Sequence, residues 1–198
     1  MDSNRNYLDL DLLWENLTLV PTGNMSELLQ NLEKNDLRDY DVVVIHVGVN
    51  DIDRTEGREV AKRLINVTSR IKAAAPGIQI ILSEVTPRQL TRDDEVIACN
   101  EELRILQGTD NITLAKHSNL RDKQWSFHKP KDDKHFTKPA IARLAGNLKS
   151  AFRKAMNIRP RRSSNNDRYN KGNVRNSNAG KSKNDKQLLL KKLIQLLS

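Results

Sequence analysis

The stretch Asp41 to Asp51, DVVVIHVGVND, constrains the fold more than any other. Val42, Val43, Val44 and Ile45 are four consecutive β-branched residues, which favour a strand. The run is apolar on both faces, as in a parallel strand covered by helices on each side. It breaks at Gly48 and continues as Val49-Asn50-Asp51. In parallel α/β sheets ligands bind just beyond the carboxyl ends of the strands, which puts Gly48, Asn50 and Asp51 where chemistry is expected. The same residues also suit a strand followed by a helix cap, because Asn and Asp are common caps. Both readings fit this stretch.

The segments around this strand alternate. Leu17 to Val20 has the pattern of a short strand and Met25 to Leu32 the spacing of an amphipathic helix. Helices are expected at Glu59–Ala75, Asp93–Leu106 and Thr137–Met156, and strands at Ile78–Ser83 and Ile112–Ala115. Residues 4–16 read as a short helix or turn. Strands alternating with helices predict a parallel sheet with right-handed crossovers, in a three-layer α/β/α domain spanning residues 1–156.

Charge separates this body from the tail. Residues 151–198 hold 13 Lys+Arg against 2 Asp+Glu, and residues 1–150 hold 21 against 23. Residues 157–185 are polar and basic with almost no large apolar side chains, and read as a disordered linker. Residues 186–198 end in QLLLKKLIQLLS. Here Leu189, Leu190, Leu193, Ile194 and Leu197 line one face of a short amphipathic helix. About a dozen residues make a marginal helix in water, so this one needs a partner or frays; self-association is one such partner. No run of 18 apolar residues is present, and the N-terminus lacks a basic-then-apolar signal pattern. The expectation is an intracellular protein, cytoplasmic or nuclear, without a membrane span. The sequons at Asn16, Asn24, Asn66 and Asn111 then carry no glycan, and Cys99 has no intrachain disulfide partner. No His, Cys or carboxylate spacing suggests a metal site, and no cofactor is expected.

Four places supply groups for catalysis in chain order: Asp2-Ser3-Asn4, Gly23, Gly48-Val49-Asn50-Asp51 and Asp132-Asp133-Lys134-His135. This order resembles the SGNH (GDSL-type) hydrolases, whose four blocks contribute Ser, Gly, Asn and His on a flavodoxin-like α/β/α sandwich. GVND matches the Asn block, and Asp132-x-x-His135 before a helix matches the last block. The closest likeness is to the esterase-like domain of some animal LINE-type retrotransposon proteins. The resemblance implies Ser3 as nucleophile, His135 as its base and Asp132 as the group orienting the imidazole. It implies an oxyanion hole formed by the Ser3 and Gly23 backbone N–H groups and the Asn50 amide. The implied substrate is a small-molecule acyl or acetyl ester, and the polar loops 51–58, 86–94 and 116–132 favour a polar one. Taken from the residues alone, Gly23 also suits a plain turn and Asn50 a plain cap.

The chain departs from this family in one respect. Members begin with a hydrophobic strand leading into the Ser, whereas only Met1 and Asp2 precede Ser3. In the order 2-1-3-4-5 that strand lies inside the sheet. Its loss predicts either a gap or direct pairing of the strands at 17–20 and 41–47, with reduced stability and weak or absent activity. A truncated reading frame, or a start-codon choice in a decayed element, is the expected cause. The alternative function is a non-catalytic scaffold binding RNA or DNA through Arg159, Arg161, Arg162, Arg168, Lys171, Arg175, Lys181 and Lys183. The family includes domains that bind RNA without catalysis.

Overall fold

The computed structural model describes residues 17–89, 92–121, 127–128, 135–158 and 193–197. The strands are β1 (Leu17–Pro21), β2 (Val42–His46), β3 (Gln79–Ser83), β4 (Ile112–Ala115) and β5 (Leu193–Leu197). The helices are α1 (Met25–Lys34), α2 (Gly57–Ala74), α3 (Asp93–Leu103), the single turn α4 (Ser118–Arg121) and α5 (Lys138–Ala155). Each expected body element is present, with ends shifted by a few residues. The expected helix or turn at 4–16 lies outside the described residues, as do Ser3, Asp132 and all eight basic residues named in the tail.

All strand pairs are parallel, in the order β1-β5-β2-β3-β4. The chain moves one way across the sheet from β1 to β4, so right-handed crossovers put α1, α2 and α3 on one face. Their Met25, Leu28, Val60, Leu64, Val67, Ile71, Val96, Cys99 and Leu103 pack with Val43, Ile45, Ile80 and Leu82. The return from β4 towards the middle of the sheet takes the opposite face. There Ala140, Ile141, Leu144, Leu148 and Phe152 of α5 cover Val42, Val44 and Ile81. Every residue of β2 is buried, as its two-sided apolar run requires. The three-layer α/β/α sandwich is therefore the fold.

Two glycines fix close approaches. Gly48 follows β2 with φ +114, and a Cβ there would meet Val85 at 3.0 Å. Gly57 opens α2 so close to α3 that a Cβ would fall 1.9 Å from the Glu95 carbonyl oxygen.

The middle of the sheet corrects two expectations. The place between β1 and β2 is neither empty nor closed by direct pairing. β5 occupies it, with Leu193 opposite both Leu17 and Val42, and Leu197 opposite both Pro21 and His46. The second correction concerns the same residues: Leu193–Leu197 is a strand, not part of a helix. Two neighbouring strands with unpaired N–H and C=O groups offer a full ladder on each side. An isolated helix of this length has only its own marginal turn energy to set against that.

Candidate functional site

The loops at the carboxyl ends of β1 and β2 meet. Asn24 caps α1, its Oδ1 accepting from the Glu27 backbone N–H at 3.0 Å. Glu27 reaches back: its carboxylate accepts from the Gly23 backbone N–H at 2.6 Å and from the Asn24 amide at 3.1 Å. This is a reciprocal cap of the Asn-x-x-Glu kind. From the β2 side, the Asn50 amide donates to the Gly23 carbonyl at 2.9 Å. The Asp51 carboxylate accepts from the Met25 backbone N–H at 3.1 and 3.2 Å. Burial raises the Asp51 carboxyl above the usual carboxylate range, against the lowering effect of that backbone N–H.

A third wall comes from the turn after Asn50. Asp53 is ion-paired with Arg88, whose side chain is buried. The Thr55 carbonyl accepts from the Arg92 guanidinium at 3.1 Å, and the Gly57 N–H donates to the Glu95 carboxylate at 2.6 Å. The loop after β3 thus clamps the loop after β2. The fourth wall is His135. Its neighbour Phe136 is buried and forms an antiparallel bridge with His128, and the Thr137 N–H donates to the Phe127 carbonyl at 2.7 Å.

These walls enclose an open cleft of about 630 Å³ lined by Gly23, Asn24, Ser26, Glu27, Asn50, Asp51, Asp53, Arg54, Thr55 and His135. None of the described residues that line it has a large apolar side chain. Four of the residues singled out from sequence (Gly23, Asn50, Asp51 and His135) therefore come together from three separate loops at the carboxyl side of the sheet. Ser3 and Asp132 lie outside the described residues. Glu27 and Ser26 were not singled out, and Asp53 and Arg88 were read only as charged residues of the polar loops 51–58 and 86–94. For Glu27 the signal was present, as the capping spacing Asn24-x-x-Glu27 before an apolar run.

A buried polar chain crosses the sheet behind the cleft. His46 Nδ1 lies 2.7 Å from Ser83 Oγ, which lies 2.6 Å from His117 Nε2. The Asn147 amide donates to His117 Nδ1 at 3.0 Å. That bond places the His117 proton on Nε2, which donates to Ser83. The Ser83 hydroxyl then donates to His46 Nδ1, the nearer of its two acceptors. Burial pushes His46 down to about 4; burial and the neighbouring His46 push His117 down to about 3. His46 is the packed strand histidine its position suggests. His128 is buried, with Nε2 3.1 Å from the Pro87 carbonyl.

No helix among the described residues is long and apolar enough to cross a membrane. No protein-family model matches the chain, and no curated protein matches it in sequence. Among solved structures, the chain is similar to a carbohydrate esterase family 3 from Talaromyces cellulolyticus, with TM-score 0.51, 16% identity and 60% of each chain covered. It is also similar to a GDSL-like lipase from Parabacteroides merdae, with TM-score 0.52, 17% identity, and 69% of this chain and 70% of that one covered. The chain thus spans 60% of the esterase's length. At such identities the likeness is one of architecture, and the chain has the fold of the SGNH/GDSL hydrolases.

Proposed function

We propose that the chain is a serine ester hydrolase acting on a small acyl or acetyl ester. The observation that carries this reading is the convergence of Gly23, Asn50 and His135 on one cleft at the carboxyl ends of the strands. In the proposed reaction Ser3 Oγ attacks the ester carbonyl carbon while His135 takes the hydroxyl proton. Asp132, three residues before His135, holds the imidazole in the tautomer that accepts it. The tetrahedral oxyanion takes hydrogen bonds from the Ser3 and Gly23 N–H groups and the Asn50 amide. Collapse breaks the ester C–O bond, and the alkoxide leaves with the proton from His135. Water then repeats the sequence on the acyl-serine and releases the acid.

Thirteen residues separate Ser3 from Leu17. The Gly23 N–H must leave Glu27 to serve the oxyanion. The cleft lining supports a polar ester with a short acyl group over a long-chain lipid. The closer likeness to the esterase-like domains of LINE-type retrotransposon proteins belongs to the same proposal, on GVND, Asp132-x-x-His135 and the basic tail.

Hydrolysis of p-nitrophenyl acetate by this chain and its Ser3→Ala and His135→Ala variants tests the proposal. Turnover that falls at least 100-fold in both variants is expected. Turnover that survives either substitution overturns the assignment. Absence of turnover in all three would favour the second reading, a scaffold that holds RNA or DNA through Arg159, Arg161, Arg162, Arg168, Lys171, Arg175, Lys181 and Lys183.

A further inference from the structure

β5 is held differently from every other strand. Helices link β1, β2, β3 and β4 in unbroken succession through described residues or short gaps, whereas 34 residues (159–192) separate Ile158 from Leu193. α5 begins beside His135 on the carboxyl side of the sheet and runs about 27 Å towards the amino side, where parallel β5 starts. The two ends to be joined are therefore on the same side. A tether of 34 residues can extend on the order of 100 Å, so it does not force Leu193–Leu197 into place. What holds that segment is the double ladder: five register positions against β1 and five against β2. β1 pairs with no other strand among the described residues.

We propose that the slot between β1 and β2 is an acceptor site for a short, apolar, extended segment lying parallel to both strands, and that Leu193–Leu197 is its resident, exchangeable occupant. The segment behaves as a tethered ligand of the body. Its affinity comes from main-chain hydrogen bonds on both edges, the mode by which peptides add to sheets. The segment is covalently part of the chain, so it competes with free peptide as an intramolecular ligand. The occupant also sets the site. The loops carrying Gly23 and Asn50 follow β1 and β2, and the Asn50–Gly23 hydrogen bond joins the two strands that β5 separates. Removing β5 leaves β1 and α1 attached to the body without a sheet ladder. This inference does not depend on the esterase reading.

Two experiments on the full-length chain test it. In the first, Thr18→Cys and Ile194→Cys are introduced together with Cys99→Ala, Thr18 and Ile194 being register partners. Neighbouring parallel strands bring such Cα atoms within disulfide range. Mild oxidation is expected to give a monomer with an intrachain disulfide on a non-reducing gel. No crosslink overturns the docking, and a crosslink only between chains overturns the assignment to the chain's own segment. In the second, Ile194→Pro removes a ladder N–H from the resident strand. A fluorescent peptide of residues 189–198 should bind this variant at least tenfold more tightly than it binds the unaltered chain. The same peptide with Ile194→Pro should not bind. If the variant does not fold alone, the unaltered peptide should restore its thermal transition. Equal binding to both chains, or failure to restore folding, refutes exchange.

Discussion

Acidification from pH 7 to pH 5 should weaken this fold through His46, Ser83 and His117. Both imidazoles are buried and hydrogen-bonded as neutral rings. A proton on His117 would put Nδ1–H against the Asn147 amide hydrogens, donor against donor. A proton on His46 would put a second donor onto Ser83 Oγ. The Glu84 carboxylate is engaged with the His117 backbone N–H at 2.9 Å. The folded-state values of about 4 and about 3 therefore lie below the unfolded value of about 6.5. The unfolded chain binds more protons in that window, so stability rises with pH through it. The contribution is complete above about pH 6.5 and is lost as pH falls towards the folded values. Two such groups give a slope near 2.7 kcal/mol per pH unit and a loss of about 4 kcal/mol by pH 5. Against a typical total of about 5–15 kcal/mol this decides whether the chain stays folded. Urea unfolding at half-unit pH steps measures the slope, and NMR of the imidazole C–H signals reads each titration. A chain with His46→Gln and His117→Gln should lose most of it. Stability that is flat between pH 7 and 5, or a His46 or His117 signal titrating near pH 6.5 in the folded chain, would refute the reasoning.

Two substitutions probe the cleft and the packing behind it. Glu27→Ala removes the reciprocal cap of α1 and should cost about 1 kcal/mol in urea unfolding. It also releases the Gly23 N–H, so kcat on p-nitrophenyl acetate should rise roughly tenfold if that group serves the oxyanion; a fall in both quantities would remove Gly23 from the proposed mechanism. Gly57→Ala gains at most about 1 kcal/mol of helix propensity but drives a methyl to 1.9 Å from the Glu95 carbonyl. Overpacking of that kind should win by about 1–3 kcal/mol, lowering Tm by several degrees in a calorimetric scan. An unchanged Tm would mean that α2 and α3 separate at little cost.

The sheet's direction and layering were legible because β2 is apolar from Val42 to Ile45 and its neighbours alternate with amphipathic helices. Val60, Leu64, Val67 and Ile71 form one buried stripe on α2 at the spacing read from sequence. The cleft was partly legible for a related reason. Gly23 and Asn50 lie in the loops that follow strands, and His135 stands three residues before the helix that starts at Lys138. What pulls their loops together was not legible. The Arg88–Asp53 ion pair, the Glu95–Gly57 contact and the His46–Ser83–His117 chain join residues 34 to 38 positions apart. No local pattern encodes such partners.

The C-terminal segment shows where periodicity stops discriminating. Leu188–Leu190 and Leu193–Leu197 carry apolar residues so densely that they satisfy a helical stripe and an extended ladder alike. Leucine favours helix intrinsically, and over a whole turn that preference amounts to a few tenths of a kcal/mol per residue against β-branched alternatives. Docking between β1 and β2 offers ladder hydrogen bonds on both edges, each worth about 0.5–1.5 kcal/mol net. The ladders outweigh the helical preference, and they exist only once β1 and β2 stand a strand's width apart. The conformation of Leu193–Leu197 is thus set by residues more than 140 positions earlier in the chain. By the same reasoning, a break in either ladder should release the segment to whatever structure it adopts alone.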